Sequence, residues 1–156
     1  MMKRRTVLGM SVFAFAPSAF AHHGWSSFDQ GRPIWLEGKV VKVAWRNPHA
    51  ELEIEIPAGL KLPADLAQRA LPAQSASVDG PGLLKRAVLP TRPDKVWEIE
   101  LAPLTRLEAW KVPEIKVGES VSVLGFTLTD EKGDAVVRAE YLFAGGKVYG
   151  LRSSPA

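Results

Sequence analysis

An all-β fold with one short helix is what this chain predicts, and three observations carry the prediction. The stretch Ile34–Ile56 holds two strand-like runs on either side of Arg46-Asn47-Pro48. In the second run Leu52, Ile54 and Ile56 alternate with Glu51, Glu53 and Glu55, the period of a half-buried strand. Further on, Lys95–Leu101, Gly118–Thr129 and Ala135–Phe143 are runs of strand length bounded by Pro, Gly or Asp.

The chain begins with a different kind of segment. Lys3-Arg4-Arg5 precedes an apolar run from Val7 to Ala16, then Pro17-Ser18, then Ala19-Phe20-Ala21. That is the layout of an export signal over residues 1–21, cleaved after Ala21. The apolar run is too short to span a bilayer. The pair Arg4-Arg5 leaves twin-arginine and general secretory export both open. The expected location is periplasmic or secreted, with no transmembrane segment in the mature chain.

Processing changes the composition. The full chain has 20 Lys+Arg and 17 Asp+Glu. Three of the basic residues and none of the acidic ones lie in the leader, which leaves 17 of each. The basic pI of the full sequence therefore comes from the leader and does not point to nucleic acid, and with net zero charge no nucleic-acid partner is expected. The three Met residues are Met1, Met2 and Met10, and there is no Cys. The mature protein would hold no sulfur, so it folds without disulfides and offers a metal no soft ligand. About 135 residues suffice for one hydrophobic core.

Residues 22–33 (HHGWSSFDQGRP) read as an irregular N-terminal segment, because Gly24, Gly31 and Pro33 oppose regular structure. Strand one follows from Ile34 to Trp45. Val40-Val41 breaks its alternation, so a bulge beside Gly38 is expected to bend it. Asn47-Pro48 makes the hairpin turn, with His49 at its corner, and strand two runs from His49 to Ile56. Residues 57–94, rich in Pro and Ala, read as a long loop excursion with a helical turn or two at Asp65–Leu71. Mobility is expected near Ala73–Gly82, and a tolerated insertion is favoured over a binding loop.

In Lys95–Leu101, Trp97, Ile99 and Leu101 take one face and Val96, Glu98 and Glu100 the other. Pro103 then opens a short helix on which Leu104, Leu107 and Trp110 recur at helical spacing. Strands at Gly118–Thr129 and Ala135–Phe143 flank a polar turn, and a short strand at Lys147–Leu151 closes the chain. Five or six strands with a helix between the third and fourth is the layout of an OB-like β-barrel, here one domain over residues 34–151.

Three histidines, His22, His23 and His49, carry the candidate chemistry. Cleavage after Ala21 makes His22 the first residue. Its amine and imidazole can then chelate together, and a further imidazole from His49 or His23 completes a nitrogen set suited to Cu(II). Cleavage one residue earlier puts His23 third, where the amine, two amides and the imidazole form a square-planar Cu(II) or Ni(II) site. The alternative is a solvated terminus and a turn-capping His49. Strand one, if straight, would separate its ends by about 35 Å.

Glu51, Glu53, Glu55, Glu98 and Glu100 form a second candidate, an acidic face with Lys39, Lys42 and Arg138 interspersed. Five Trp residues suggest stacking, but Trp97 and Trp110 fall on buried sides, and most read as core. No catalytic constellation is recognised, and no enzyme activity is expected.

The start Ala21-His22-His23-Gly24 with Phe28-Asp29, then Leu36-Glu37-Gly38-Lys39-Val40 and Trp45-Arg46-Asn47-Pro48-His49, resembles an uncharacterised family of short exported bacterial proteins, a domain of unknown function. Trp97-Glu98 to Leu107, Val117-Gly118-Glu119 and Arg138-Ala139-Glu140 continue the resemblance over most of residues 21–151. It implies export and an OB-like barrel. It implies no activity. The expected function is an exported monomeric Cu(II)-binding protein. The alternative is a scaffold or partner-binding module without metal.

Overall fold

The computed structural model describes residues 24–156. The expected signal peptide at 1–21, with His22 and His23, lies outside the described residues. The fold is mostly β. Six strands form one sheet: β1 (Phe28–Ala44), β2 (Glu51–Glu55), β3 (Val96–Glu100), β4 (Ser120–Leu128), β5 (Val136–Ala144) and β6 (Lys147–Gly150). Two helices interrupt them, α1 (Gly80–Arg86) and α2 (Leu104–Ala109). No described helix is long and apolar enough to cross a membrane.

Neighbouring strands run β3-β2-β1-β4-β5-β6, and β3 also pairs with β5 in parallel. That extra pairing closes β1, β2, β3, β5 and β4 into a ring, with β6 added beside β5. Closure satisfies the backbone groups that an open sheet would leave at its edges. The alternation in β2 and β3 turns Leu52, Ile54, Trp97 and Ile99 inward, where they meet Ile34, Leu36, Val123 and Val137. Each such buried side chain contributes about 2 kcal/mol. Helix α2 adds Leu107 to this core, with Leu104 and Trp110 packed alongside, as their spacing predicts.

The bend in β1 sits where the doubled valine placed it. The β1–β2 register shifts between Val40 and Lys42. Gly38 permits the close crossing, since a Cβ there would lie 2.4 Å from the carbonyl oxygen of Glu55.

Two expectations need correction. Strand β1 begins at Phe28, inside the stretch read as irregular. A register shift between Phe28 and Pro33 absorbs Asp29–Arg32. Phe28 is buried and anchors the strand's start, and Pro33 serves as an acceptor, its carbonyl bound by the Val88 N–H at 3.0 Å. The excursion at 57–94 is also more than a loop. It contains a 3-10 turn at Leu66–Gln68, within the expected helical stretch, and the unexpected α1, capped by Asp79, which accepts from the Gly82 N–H at 3.0 Å. Leu66, Leu83, Leu84 and Ala87 cover Trp35, Leu124, Phe126, Val136 and Tyr141 in a second core. Near the expected mobile stretch, Ser75 donates its backbone N–H to the carbonyl of Ser154 at 2.9 Å, and Gln74 bridges Pro155.

Candidate functional site

Beside the second core, β2 and β3 carry their glutamates on the face opposite Leu52, Ile54, Trp97 and Ile99. In their antiparallel register Glu51 stands opposite Glu100, and Glu53 opposite Glu98. Lys42 on β1 answers this charge with a hydrogen bond to Glu53 at 2.7 Å. Like charges facing across a sheet are unfavourable, so an interspersed lysine is the expected compensation. Lys42, Arg46, Glu51, Glu53 and Glu98 line a small cavity of about 110 Å³ on this face.

The carboxylates are not equivalent. Glu100 is buried, and Arg138 reaches it from β5, at 3.5 Å between Nη1 and Oε2. Burial pushes the Glu100 carboxyl up to about 7, against the pull of Arg138 and with the push of Glu98 and Glu51. Burial likewise raises Glu98, helped by Glu51 and opposed by Lys42. Burial also lowers Arg138, which Glu100 offsets. Each group is driven toward its neutral form by loss of water.

His49 lies at one end of the row. Its side chain is 11% exposed, and Nδ1 is 3.8 Å from Oε1 of Glu51. The corner is tied to α2, where the Leu104 N–H donates to Oδ1 of Asn47 at 3.1 Å, and to Ala102, whose carbonyl accepts from Ala50 at 2.9 Å. At the other end lies Trp25. The Arg138 guanidinium sits 4.5 Å from the centre of its ring, and that of Arg152 3.7 Å. A continuous series therefore runs Trp25, Arg138, Glu100, Glu51, His49. It exists because β5 pairs with β3, which brings the start of the described chain and the hairpin corner to one side of the ring.

Of the three candidate ligands only His49 is described. Among the described residues no three of His, Cys, Asp and Glu group closely enough to hold a metal. The expected mixed face holds for Lys42 and Arg138, which both engage its carboxylates. Trp35 and Trp97 are fully buried, while Trp25, Trp45 and Trp110 are half-buried.

Sequence reasoning missed Arg152 and Glu140. Glu140 is fully enclosed and accepts from Arg152 at 2.6 Å and 2.9 Å. The one available signal was a charged residue, Glu140, set between apolar neighbours in a run otherwise expected to be covered.

Residues 11–61 match DUF6152, a family of unknown function. The matched stretch spans about a third of the chain and includes β1, the Asn-Pro-His corner and β2. It agrees with the resemblance seen in the sequence and covers less than the 21–151 over which that resemblance extends. Comparison with curated proteins and with solved structures finds no significant match.

Proposed function

We propose that this protein is exported and binds Cu(II) with nitrogen donors from its processed N-terminus together with His49. His22 supplies the amine and one imidazole if cleavage follows Ala21, and His23 is the second candidate imidazole. The ring with α2 between β3 and β4 is read as an OB-like barrel that presents this site. The supporting observation is the series from Trp25 to His49. Arg138 and Glu51 are two strand spacings apart, about 10 Å. His22 precedes Trp25 by three residues, about 10 Å when extended, while the legs from Trp25 to Arg138 and from Glu51 to His49 lengthen the path beyond the Arg138–Glu51 span. The register shift in β1 and the closure of the ring favour a curved strand over a straight one with its ends about 35 Å apart. Neutral imidazoles, an amine and a nearby carboxylate, with no sulfur, suit Cu(II) better than Cu(I).

A second reading is a partner-binding module without metal, supported by half-buried Glu51, Glu53 and Glu98 and exposed Glu55 on β2 and β3. The excursion lends that reading less support, because its apolar residues are already used against Trp35 and Phe126.

The test is Cu(II) titration of the processed protein against the same protein with one extra N-terminal residue, and against His49→Ala. The proposal expects one tight site, lost on blocking the amine and weakened about tenfold or more without His49. Equal affinity in all three proteins, or none in the first, refutes it. Mass spectrometry of exported protein fixes the cleavage site.

A further inference from the structure

We infer that a groove on the outer face of the sheet, between Arg69 of the excursion and the Gly145-Gly146 turn, binds a neutral oligosaccharide. The groove holds about 500 Å³ and shares no residue with the His49 corner, so the inference stands apart from the Cu(II) reading. Its floor is one rung across four strands. Register sets Glu37 on β1 opposite Ser122 on β4, Ser122 opposite Phe143 on β5, and Phe143 opposite Val148 on β6. The next rung on this face, Trp35, Leu124 and Tyr141, is buried under the excursion.

The groups on the open rung are those a polyhydroxylated ligand needs. Glu37 is exposed, while Ser122 and Phe143 are half-buried. The Ser122 hydroxyl donates to Glu37 at 3.4 Å, a long bond that a ligand hydroxyl can replace. Arg69 is held over the rings of Trp35 and Phe143, 5.3 Å and 5.8 Å from their centres, by hydrogen bonds to Asp65 at 3.0 Å and 3.2 Å. Those bonds use Nε and Nη2 and leave Nη1 to donate. Phe143 supplies an apolar surface for the C–H face of a sugar ring.

Charge decides the ligand class. A polyanion would meet Glu37, and a polycation would meet Arg69 and Lys147. A neutral chain of hydroxyls donates to Glu37 and accepts from Arg69, and neither sign repels it. A second hollow of about 440 Å³ shares Glu37 and Ser120 with the first and continues past Lys39 and Val41. Each hollow is of the size that holds a small ligand, so linked sugar units fit the shape better than a single one.

The experiment is an amide chemical-shift titration of isotope-labelled processed protein with maltotetraose, cellotetraose and chitotetraose, and with dextran sulfate as a polyanion. At least one neutral tetrasaccharide is expected to move Ser122, Phe143 and Lys147. It should also move the indole N–H of Trp35, whose ring meets Phe143 edge-on at 5.1 Å. Glu37→Gln and Ser122→Ala should each weaken that binding about three- to tenfold, and Phe143→Ala about tenfold. Thermal melts accompany every variant, and exposed Glu37 keeps the test decisive if Phe143→Ala does not fold. Glu108→Gln on α2 should bind as wild type does. Three results would each overturn the inference: no shifts with any neutral tetrasaccharide, wild-type affinity in both Glu37→Gln and Ser122→Ala, or binding of dextran sulfate alone. No arm contains copper, so failure here leaves the His49 reading standing, and failure of that reading leaves this one.

Discussion

Glu51 on β2 stands directly across from Glu100 on β3, two carboxyl groups held as cross-strand partners beside the imidazole of His49. Of the two, Glu100 is the buried one, and its carboxyl is raised from 4.5 to about 7. In that window the folded protein holds a proton that the unfolded chain has released. Folding then takes up a proton, so stability falls as pH rises from about 4.5 through 7 and levels off above. The full cost is up to about 3 kcal/mol at pH 8. Glu100→Gln should flatten this slope and stabilise the protein most at alkaline pH. Urea melts at several pH values check it, and an unchanged slope in the variant refutes it.

A bound cation would act on the same carboxyl. If copper binds at His49 as proposed, it would lie close to Glu51 and its field would favour the ionised form of Glu100. Cu(II) binding at pH 6.5 should release more protons from wild type than from Glu100→Gln. Calorimetry in buffers of different ionisation enthalpy counts them. Equal release from both proteins would remove Glu100 from the site's electrostatics.

The strand plan was legible in the residues because β2 and β3 carry strict alternation and the bulge was spelled out by Val40-Val41 beside Gly38. The hairpin corner and the helix bearing Leu107 were equally readable. The second core was not. Its signal is the reverse of alternation: Ile34-Trp35-Leu36 and Tyr141-Leu142-Phe143 are apolar on both faces, which means cover on both sides. The cover comes from the excursion, whose Pro and Ala content masks the few leucines that matter. The site was half legible. His49 and the glutamates follow from local pattern, whereas Trp25 meets Arg138 and Arg152 only through pairings more than a hundred residues apart in sequence.

That second core makes the excursion a stability element. Leu84→Ala, a substitution in what reads as loop text, should cost about 2–4 kcal/mol, as in any packed interior. Chemical denaturation measures it. A loss below about 0.5 kcal/mol, normal for a surface site, would return the excursion to the status of a tolerated insertion.

The C-terminus should matter just as much. Arg152 neutralises fully enclosed Glu140, and Ser153 donates its N–H to Oε1 of Gln74 at 3.0 Å. Deleting residues 152–156 leaves Glu140 buried and unmatched, at a cost of about 3–5 kcal/mol. Hydrogen exchange should rise at Ser75 and Ala76, whose amide N–H groups bond to Ser154 and Ser153. Unchanged protection there would show that the tail is dispensable.

Gly38→Ala tests the crossing of β1 over β2. The added methyl meets the Glu55 carbonyl, which belongs to the backbone and cannot swing aside. A loss of about 1–3 kcal/mol is expected, with the largest chemical-shift changes at Val40–Lys42 and Glu55. Wild-type stability in this variant would mean that the strands separate there at little cost.

The half-buried and exposed glutamates of β2 and β3, Glu51, Glu53, Glu55 and Glu98, have a consequence for how copies of this protein meet. The excursion packs over Trp35, Leu124, Phe126, Val136 and Tyr141, and the glutamates of β2 and β3 give their face its charge. Two molecules approaching through that wall would set carboxylate against carboxylate, with Lys42 already committed to Glu53 in each. This face therefore repels its own kind, and crowding alone would not drive these molecules to stack through it.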